Sequence, residues 1–279
     1  MKIKVWGCRG SLPTPGRDME RYGGNTTCLE IRLNDGTVVV VDAGSGIRAL
    51  GDRLVREHEL ADLYLILTHA HWDHLSGFPF FRPAFSSRFT IRVLGGPRAK
   101  RVLRGYLAHQ MQPPYFPVPF DAMKARFEFL PRRAKAAIGS ATLSFIPLNH
   151  PNGGYGFEIA EDGRTFVFLT DNELDFAHEG GLSREEYIGL CRDADLLMHD
   201  AQYTDQEVES KRGWGHSTFS SATELAIQAG VGRFGVFHHD PAHTDDEIDR
   251  CVAMCHSRIA QANSSVECFG VQEEMELVV

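Results

Sequence analysis

Cysteine is scarce and scattered. Cys8, Cys28, Cys191, Cys251, Cys255 and Cys268 form no CxxC pair, so their even number gives no basis for a disulfide framework and they read as small core residues. No window approaches the roughly 18 uninterrupted apolar residues of a membrane span. Met1-Lys2-Ile3-Lys4-Val5 runs straight into strand-like sequence, without the apolar stretch and cleavage site of a secretory signal. No membrane partner is expected, and the cytoplasm is the default location. Basic charge is also short. The 29 Lys and Arg against 37 Asp and Glu leave a net charge of -8 over 279 residues, which argues against a broad nucleic-acid-binding face. A small phosphate-bearing substrate stays compatible, because bound cations would dominate the local field. No linker, low-complexity tract or short-period repeat divides the chain, which favours one unit over residues 1–279.

What the chain does have is a succession of apolar runs that end in polar punctuation. Residues 2–7 and 28–33 have strand character, and Asn34-Asp35-Gly36 is a hairpin turn into Thr37-Val38-Val39-Val40-Val41. Asp42-Ala43-Gly44-Ser45-Gly46 ends that run and leads into a helix over about 46–57, followed by a strand at about 62–67. A strand at about 90–94 and a helix near 97–110 come next. The segment from Met111 to Phe120 is too rich in proline for a helix or a central strand. It reads as an ordered loop packed by its aromatics, with a lid, a substrate wall or a dimer contact as alternatives. Further strands are expected at about 126–130, 141–146, 156–160 and 165–169, the last two joined by an Asp162-Gly163 turn. A helix around 183–192, a strand 195–199, a helix 217–229 opened by Ser217 or Thr218, a strand 233–237 and a helix 244–258 complete the series. Mixed strands with helices that must cover the outer faces predict an α/β fold, a four-layer αββα sandwich.

Directly after the apolar run Leu63–Leu67, the segment Thr68-His69-Ala70-His71-Trp72-Asp73-His74 packs three imidazoles and a carboxylate together. Imidazole and carboxylate suit zinc, manganese or iron, and a divalent ion acidifies a water that it binds. A lone histidine here would be a packing residue; four side chains of ligand type point to a metal site. Five more candidates stand at strand ends: His150, Asp171, Asp200 and the pair His238-His239. Adjacent strand residues face opposite sides, so the residues alone leave either histidine of the pair as the ligand. His216 lies in Gly213-Trp214-Gly215-His216-Ser217-Thr218, where it either sits idle beside a helix cap or acts chemically. Gly7-Cys8-Arg9-Gly10-Ser11 and Gly23-Gly24-Asn25-Thr26-Thr27 are Gly-rich turns. Plain turn chemistry and donation to a phosphate by Ser11, Asn25 and Thr26 are both open. His58, His109, His178, His199, His243 and His256 read as surface or packing residues.

The motifs THAHWDH, LNHP, LTDNE, HDAQY, RGWGHST and FHHDP, in that order over nearly the whole chain, resemble the metallo-beta-lactamase superfamily. Within it they are similar to the branch of tRNA 3'-processing endonucleases and cyclic phosphodiesterases, as is the opening GCRGSLPTPG. The resemblance implies the αββα sandwich and two divalent metal ions, zinc first, with manganese or iron as alternatives. It makes His69, His71 and His150 ligands of one ion, Asp73, His74 and His238 ligands of the other, and Asp171 the bridging carboxylate. It selects His238 over His239 and leaves His239 as a substrate contact or as a group that supports the ligands. Asp73 would also hold the attacking water, His216 would assist at the phosphate in an orientation set by Asp200, and Asp42 would support the histidine cluster through hydrogen bonds.

The reaction that the resemblance implies is hydrolysis of a phosphodiester by metal-activated water. Only twenty residues lie between His150 and Asp171. They look like a hairpin, with no room for the long arm that holds tRNA in the endonucleases. Together with the acidic balance this favours a small cyclic phosphodiester, a cyclic nucleotide or phosphoribosyl 1,2-cyclic phosphate, and disfavours extended nucleic acid. An RNA endonuclease of the tRNA 3'-processing kind is the alternative, and a nonenzymatic nucleotide-binding signalling module the third. Trp72, Phe78, Tyr115 and Phe116 are candidate walls of a base pocket. A homodimer is compatible with the resemblance and with the base rate for soluble oligomers.

Overall fold

The run Val38-Val39-Val40-Val41 contains the layering in miniature. Alternate side chains of a strand face opposite ways. Here Val38 and Val40 pack into one apolar cluster, Val39 and Val41 into another, and all four are buried. A strand buried on both faces lies between two layers.

The computed structural model describes residues 1–96, 102–131 and 134–279. The chain runs β1 (Lys2–Gly7), β2 (Cys28–Arg32), β3 (Val38–Val41), α1 (Ile47–Leu54), β4 (Asp62–Leu67), α2 (Trp72–Leu75), β5 (Thr90–Gly95), α3 (Val102–His109) and β6 (Arg126–Phe129). It continues through β7 (Lys135–Ile138), β8 (Ala141–Pro147), β9 (Tyr155–Glu161), β10 (Arg164–Leu169), α4 (Arg184–Cys191), β11 (Leu196–Asp200), α5 (Val208–Lys211) and α6 (Phe219–Ala229). Last come β12 (Arg233–Phe237), α7 (Asp245–Gln261), β13 (Glu267–Gly270) and β14 (Glu276–Val278). Among the described residues two seven-stranded sheets result, in the orders β14-β1-β2-β3-β4-β5-β6 and β13-β12-β11-β10-β9-β8-β7. In each, a block of four strands is parallel: β3 to β6 in the first and β10 to β13 in the second.

The sheets face each other through one cluster, to which the first contributes Val5, Ile31, Val39, Val41 and Ile66 and the second Leu143, Phe157, Phe166, Phe168 and Met198. Ile47, Leu50 and Leu54 of α1 cover the outer face of the first sheet on Val38, Val40 and Leu65. Side chains of α4, α6 and α7, among them Tyr187, Leu225 and Ile248, cover the second on Val167, Leu197 and Phe234. Full burial of one such side chain contributes about 1.5–3 kcal/mol. The architecture is the αββα sandwich expected from the sequence, and the expected cores of the strands and long helices fall inside the observed elements.

The differences lie at edges and ends. The short strands β7 and β14 each carry exposed positions and sit at sheet margins, where little alternation marks them; β13 was also unanticipated. The helix expected near 97–110 is described from Val102, and residues 97–101 lie outside the described residues. Thr218, not Ser217, caps α6 by accepting from the Ser221 amide at 3.0 Å. Ser217 instead donates its hydroxyl to the Asn172 carbonyl. Thr244 and Glu247 form a reciprocal capping box at the start of α7. The proline-rich segment packs through buried Met111 and Phe120, with the Phe116 ring edge-on to Phe80 at 5.6 Å, as an ordered loop does. Among the described residues no helix is long and apolar enough to cross a membrane.

Candidate metal centre

Parallel pairing brings strand ends level. Leu169 of β10 pairs with His199 of β11, and Asp200 pairs with Phe237 of β12. Just past their strands, Asp42, Asp171 and His238 adopt φ values of 57°, 51° and 62°. This left-handed region is uncommon outside glycine and costs on the order of 1–3 kcal/mol per residue. Three such turns at one rim bend the chain away from strand geometry where chemistry-bearing side chains leave it. The histidine pair divides at one of these turns. The kink at His238 sends its Nε2 to 3.1 Å from Asp73 Oδ2 and 3.2 Å from Asp171 Oδ1. His239 is buried elsewhere, its Nε2 donating to the Val271 carbonyl at 2.8 Å and its ring 5.1 Å from Tyr22.

Two groups of donors form. One atom from each of His69, His71, His150 and Asp171 lies within 4.8 Å of the others, and the same holds for Asp73, His74, Asp171 and His238. Asp171 belongs to both. Its Oδ2 lies 3.5 Å from His69 Nε2 and 3.7 Å from His150 Nε2, while its Oδ1 lies 3.1 Å from His74 Nε2.

The outward nitrogens are held by acceptors. His74 Nδ1 lies 2.8 Å from Asp42 Oδ2, His150 Nδ1 2.9 Å from the Gly215 carbonyl, and His238 Nδ1 2.9 Å from Gln202 Oε1. His69 Nδ1 lies 3.1 Å from the Thr68 hydroxyl, which itself donates to Asp42 Oδ2 at 2.7 Å. A proton on each Nδ1 leaves the Nε2 lone pair facing inward. Among the described residues, His69 Nε2 and His74 Nε2 are buried and make no hydrogen bond. Buried nitrogens without partners are rare in a folded chain, and these converge on a shared carboxylate. The donor set therefore fits two divalent cations.

Electrostatics agree with that fit. Burial pushes the Asp171 carboxyl up, but His238, His74 and His69 outweigh it and hold the group well below the usual carboxylate range. Burial likewise opposes the low pKa of Asp73, which His74 and His238 maintain. Burial lowers His69 far below its ordinary value and takes His150 to about 4, so both stay neutral and available as donors. His74 is raised against its burial by Asp171, Asp73 and Asp42; a cation would take the place of the proton that those carboxylates attract.

His216 stands at the edge of the centre, its ring stacked 5.0 Å from His238 and edge-on 5.3 Å from His150. Its Nδ1 donates to Asp200 Oδ2 at 2.7 Å. Burial alone would lower its pKa, but Asp200 carries it to about 9. Asp200 is fixed by the amides of Asn172 and Gln202 at 3.2 and 3.0 Å.

Supporting residues went unread in the sequence. Gln202 orients His238, and Thr68 orients His69. Glu173, buried, accepts from the amides of Gly213 and Gly215 at 2.7 and 2.8 Å and lies 2.9 Å from His178 Nε2. It thereby holds the loop that carries His216. These contacts span 36 to 42 residues for Gln202 and the Glu173 amides, so no local spacing announces them; the one signal is an acid directly after Asp171-Asn172.

Several expected substrate contacts are otherwise engaged. The Ser11 amide donates to Asp73 Oδ2 at 2.8 Å, which keeps Ser11 beside the centre. Asn25 donates its amide to Glu273 and accepts from the Ser45 hydroxyl, and buried Thr26 accepts from the Ser45 amide at 2.8 Å. Both tie one turn to another rather than offering donors to a phosphate. His239, with its ring wholly buried, is a packing group rather than a substrate contact. The N-terminal Gly-rich turn seats His238: Gly10 donates to the His239 carbonyl, and a Cβ at Gly10 would lie 2.5 Å from His238 Nδ1. Buried Arg9 donates to the carbonyls of Gly23, Asp240 and His243 and closes that seam. Of the expected aromatic walls, Phe78 is wholly buried in the core under the first sheet, Phe116 packs on Phe80, and Trp72 and Tyr115 are 84% and 71% exposed.

Comparison with known proteins follows the same line. Residues 37–239 match the family model described as the beta-lactamase superfamily domain. The chain is 22% identical to a protein named ribonuclease Z from Haloarcula marismortui, with 96% of each chain covered. Among solved structures, the metallo-beta-lactamase fold protein YhfI from Bacillus subtilis superposes with a TM-score of 0.70 at 19% identity, over 99% of this chain and 98% of that one. A diphosphatase from the PhnP family does so with a TM-score of 0.67 at 16% identity, over 100% and 97%. With two facing sheets, a shared carboxylate between two donor groups and a family match over most of its length, the chain belongs to the beta-lactamase superfamily and has the metallo-beta-lactamase fold.

Proposed function

We propose that the protein is a metal-dependent phosphodiesterase that hydrolyses a small cyclic phosphodiester. The observation that carries this reading is Asp171, one carboxylate facing two groups of buried donors through its two oxygens. His69, His71 and His150 would hold one divalent ion, Asp73, His74 and His238 the other, and Asp171 both. Zinc is the first candidate, with manganese or iron compatible with the same ligands. When bound, the ions would polarise the phosphoryl oxygens and acidify a water.

The chain's own groups supply the rest. Asp73, held through Oδ2 by the Ser11 amide, would orient the attacking water and take its proton. His216 retains a proton at neutral pH through its pair with Asp200. It can donate that proton to a nonbridging oxygen or to the departing alkoxide. Asp42, Gln202 and the Gly215 carbonyl hold the imidazoles in one tautomer and angle, so that little reorganisation accompanies turnover.

A second reading has its own support. The ribonuclease Z relative aligns over 96% of both chains, which favours an RNA 3' end as substrate at least as well. Against a long tRNA-holding arm between His150 and Asp171 stands the tight β9–β10 hairpin, paired from Glu161 with Arg164 to Phe157 with Phe168. The test is the initial rate of metal-stripped protein resupplied with zinc or manganese. Its substrates are 3',5'- and 2',3'-cyclic nucleotides, phosphoribosyl 1,2-cyclic phosphate and a short tRNA precursor. Metal-dependent turnover of a cyclic substrate, abolished in Asp171→Ala, supports the first reading; cleavage of the RNA alone selects the second.

A further inference from the structure

A cavity of about 340 Å³ opens beside His69 and His71. Its walls differ in kind from the charged centre that it adjoins. Leu103 and Tyr106 of α3 form one side, Tyr155 at the start of β9 and Pro147 another, and Asn152 adds an amide. Apart from the two histidines and the tyrosine phenols, its ionisable wall among the described residues is the exposed carboxylate of Glu179. A phosphate-rich or anionic substituent finds no cationic partner among those residues. A flat, uncharged group with polar edges finds two aromatic rings, aliphatic surface and an amide.

The wall is built rather than incidental. The Tyr155 amide donates to the Thr68 carbonyl at 3.0 Å, which pins Tyr155 to the residue before His69. Its ring packs edge-on to Phe145 at 6.3 Å. A Cβ at Gly96 would lie 1.7 Å from that ring, so the chain leaves a slot for it. Tyr106 lines the cavity and stands 44% exposed, which leaves its ring open to a ligand.

Resting on the phosphodiesterase reading, we propose that this cavity is a base-binding subsite: the substrate's phosphodiester carries a nucleobase, which lies against Tyr106 and Tyr155 with its polar edge toward Asn152. Aromatic side chains stack on any base face, and amides read base edges. A base-free sugar phosphate would leave this cavity unfilled.

The experiment compares kcat/KM of the zinc- or manganese-loaded protein for 2',3'-cyclic AMP and for phosphoribosyl 1,2-cyclic phosphate, in the natural chain and in Tyr106→Ala and Tyr106→Phe. The expected result is a preference for the base-bearing substrate that shrinks by about 5- to 150-fold in Tyr106→Ala, mostly through KM, and survives in Tyr106→Phe. Free adenosine should inhibit competitively in the natural chain and more weakly in Tyr106→Ala. Equal or better turnover of the base-free substrate, or an equal effect of Tyr106→Ala on both, overturns the subsite and leaves the phosphodiesterase standing. No metal-dependent turnover of either substrate or of a short tRNA precursor overturns the phosphodiesterase reading and this one with it. Tyr106 is partly exposed on α3, so its replacement should leave the fold intact, which circular dichroism of each variant checks.

Discussion

The two sheets deliver their chemistry in different ways. The first sheet brings His69, His71, Asp73 and His74 in one short stretch past β4, with α2 folding the last two inward. The second brings His150, Asp171, Asp200 and His238 singly, each past or at the end of a different strand. One contribution is a local motif whose meaning survives without the fold. The other exists only because the second sheet brings the ends of β8, β10, β11 and β12 to one rim, the last three in parallel register. Ligands from one loop can tolerate small shifts together, whereas ligands from separate strands depend on the packing of the whole sheet.

The sharpest way to break this contrast is at the residue that joins the halves. Asp171→Ala removes a donor from both groups and should lower turnover by at least about a thousandfold. It should also lower metal content, read by elemental analysis. Retained turnover with two bound ions would remove Asp171 from the bridging role. His216→Ala comes next, with an expected loss of about 10²–10⁴-fold in kcat and metal content unchanged. An equal loss in Asp200→Asn would tie the pair together, whereas an unaffected rate would separate the two residues. A supporting residue from each side sharpens the comparison further. Asp42→Asn loosens His74 and Thr68 together, while Gln202→Leu leaves His238 Nδ1 without its acceptor. Each should weaken metal affinity by about 10–100-fold, measured by competition with a chromophoric chelator.

The smallest effect lies outside the donor groups. Burial depresses His239 to about 3. The unfolded chain takes up that proton below about pH 6.5, whereas the folded chain resists it until about 3. Stability is therefore present above about pH 6.5 and is lost at about 1.4 kcal/mol per pH unit as the pH falls from there toward 3. His239→Gln should flatten this part of the curve of stability against pH, followed by urea unfolding. An unchanged slope would mean that other groups carry the acid sensitivity.

The same contrast explains what the sequence disclosed. The THAHWDH cluster and the strand-end positions of His150, Asp171 and Asp200 were legible because apolar runs mark strands and punctuation marks their ends. The turns at Asn34-Asp35-Gly36 and Asp162-Gly163 were legible for the same reason. Gln202 and Glu173 were not, since an acceptor 36 residues from His238, or a carboxylate about 40 residues from the amides that it gathers, carries no periodicity. For Asn25 and Thr26 the sequence left both roles open, because a glycine-rich turn has the same composition whether its donors meet a phosphate or another turn. Phe78 stood among the candidate walls and is buried in the core instead, because proximity in sequence to the histidines says nothing of which way a short 3-10 turn faces.

The left-handed backbone at Asp42, Asp171 and His238 bears on how such a centre is best dissected. Alanine at any of these positions removes a side chain and also adopts the required backbone less readily than aspartate does. A lost activity would then mix two causes. Glycine accepts the same turn freely, and asparagine keeps both the tolerance and nearly the shape while shedding the charge. A trio of glycine, asparagine and alanine at position 171 would separate geometry from electrostatics, and the order of their activities would say which of the two the centre depends on more.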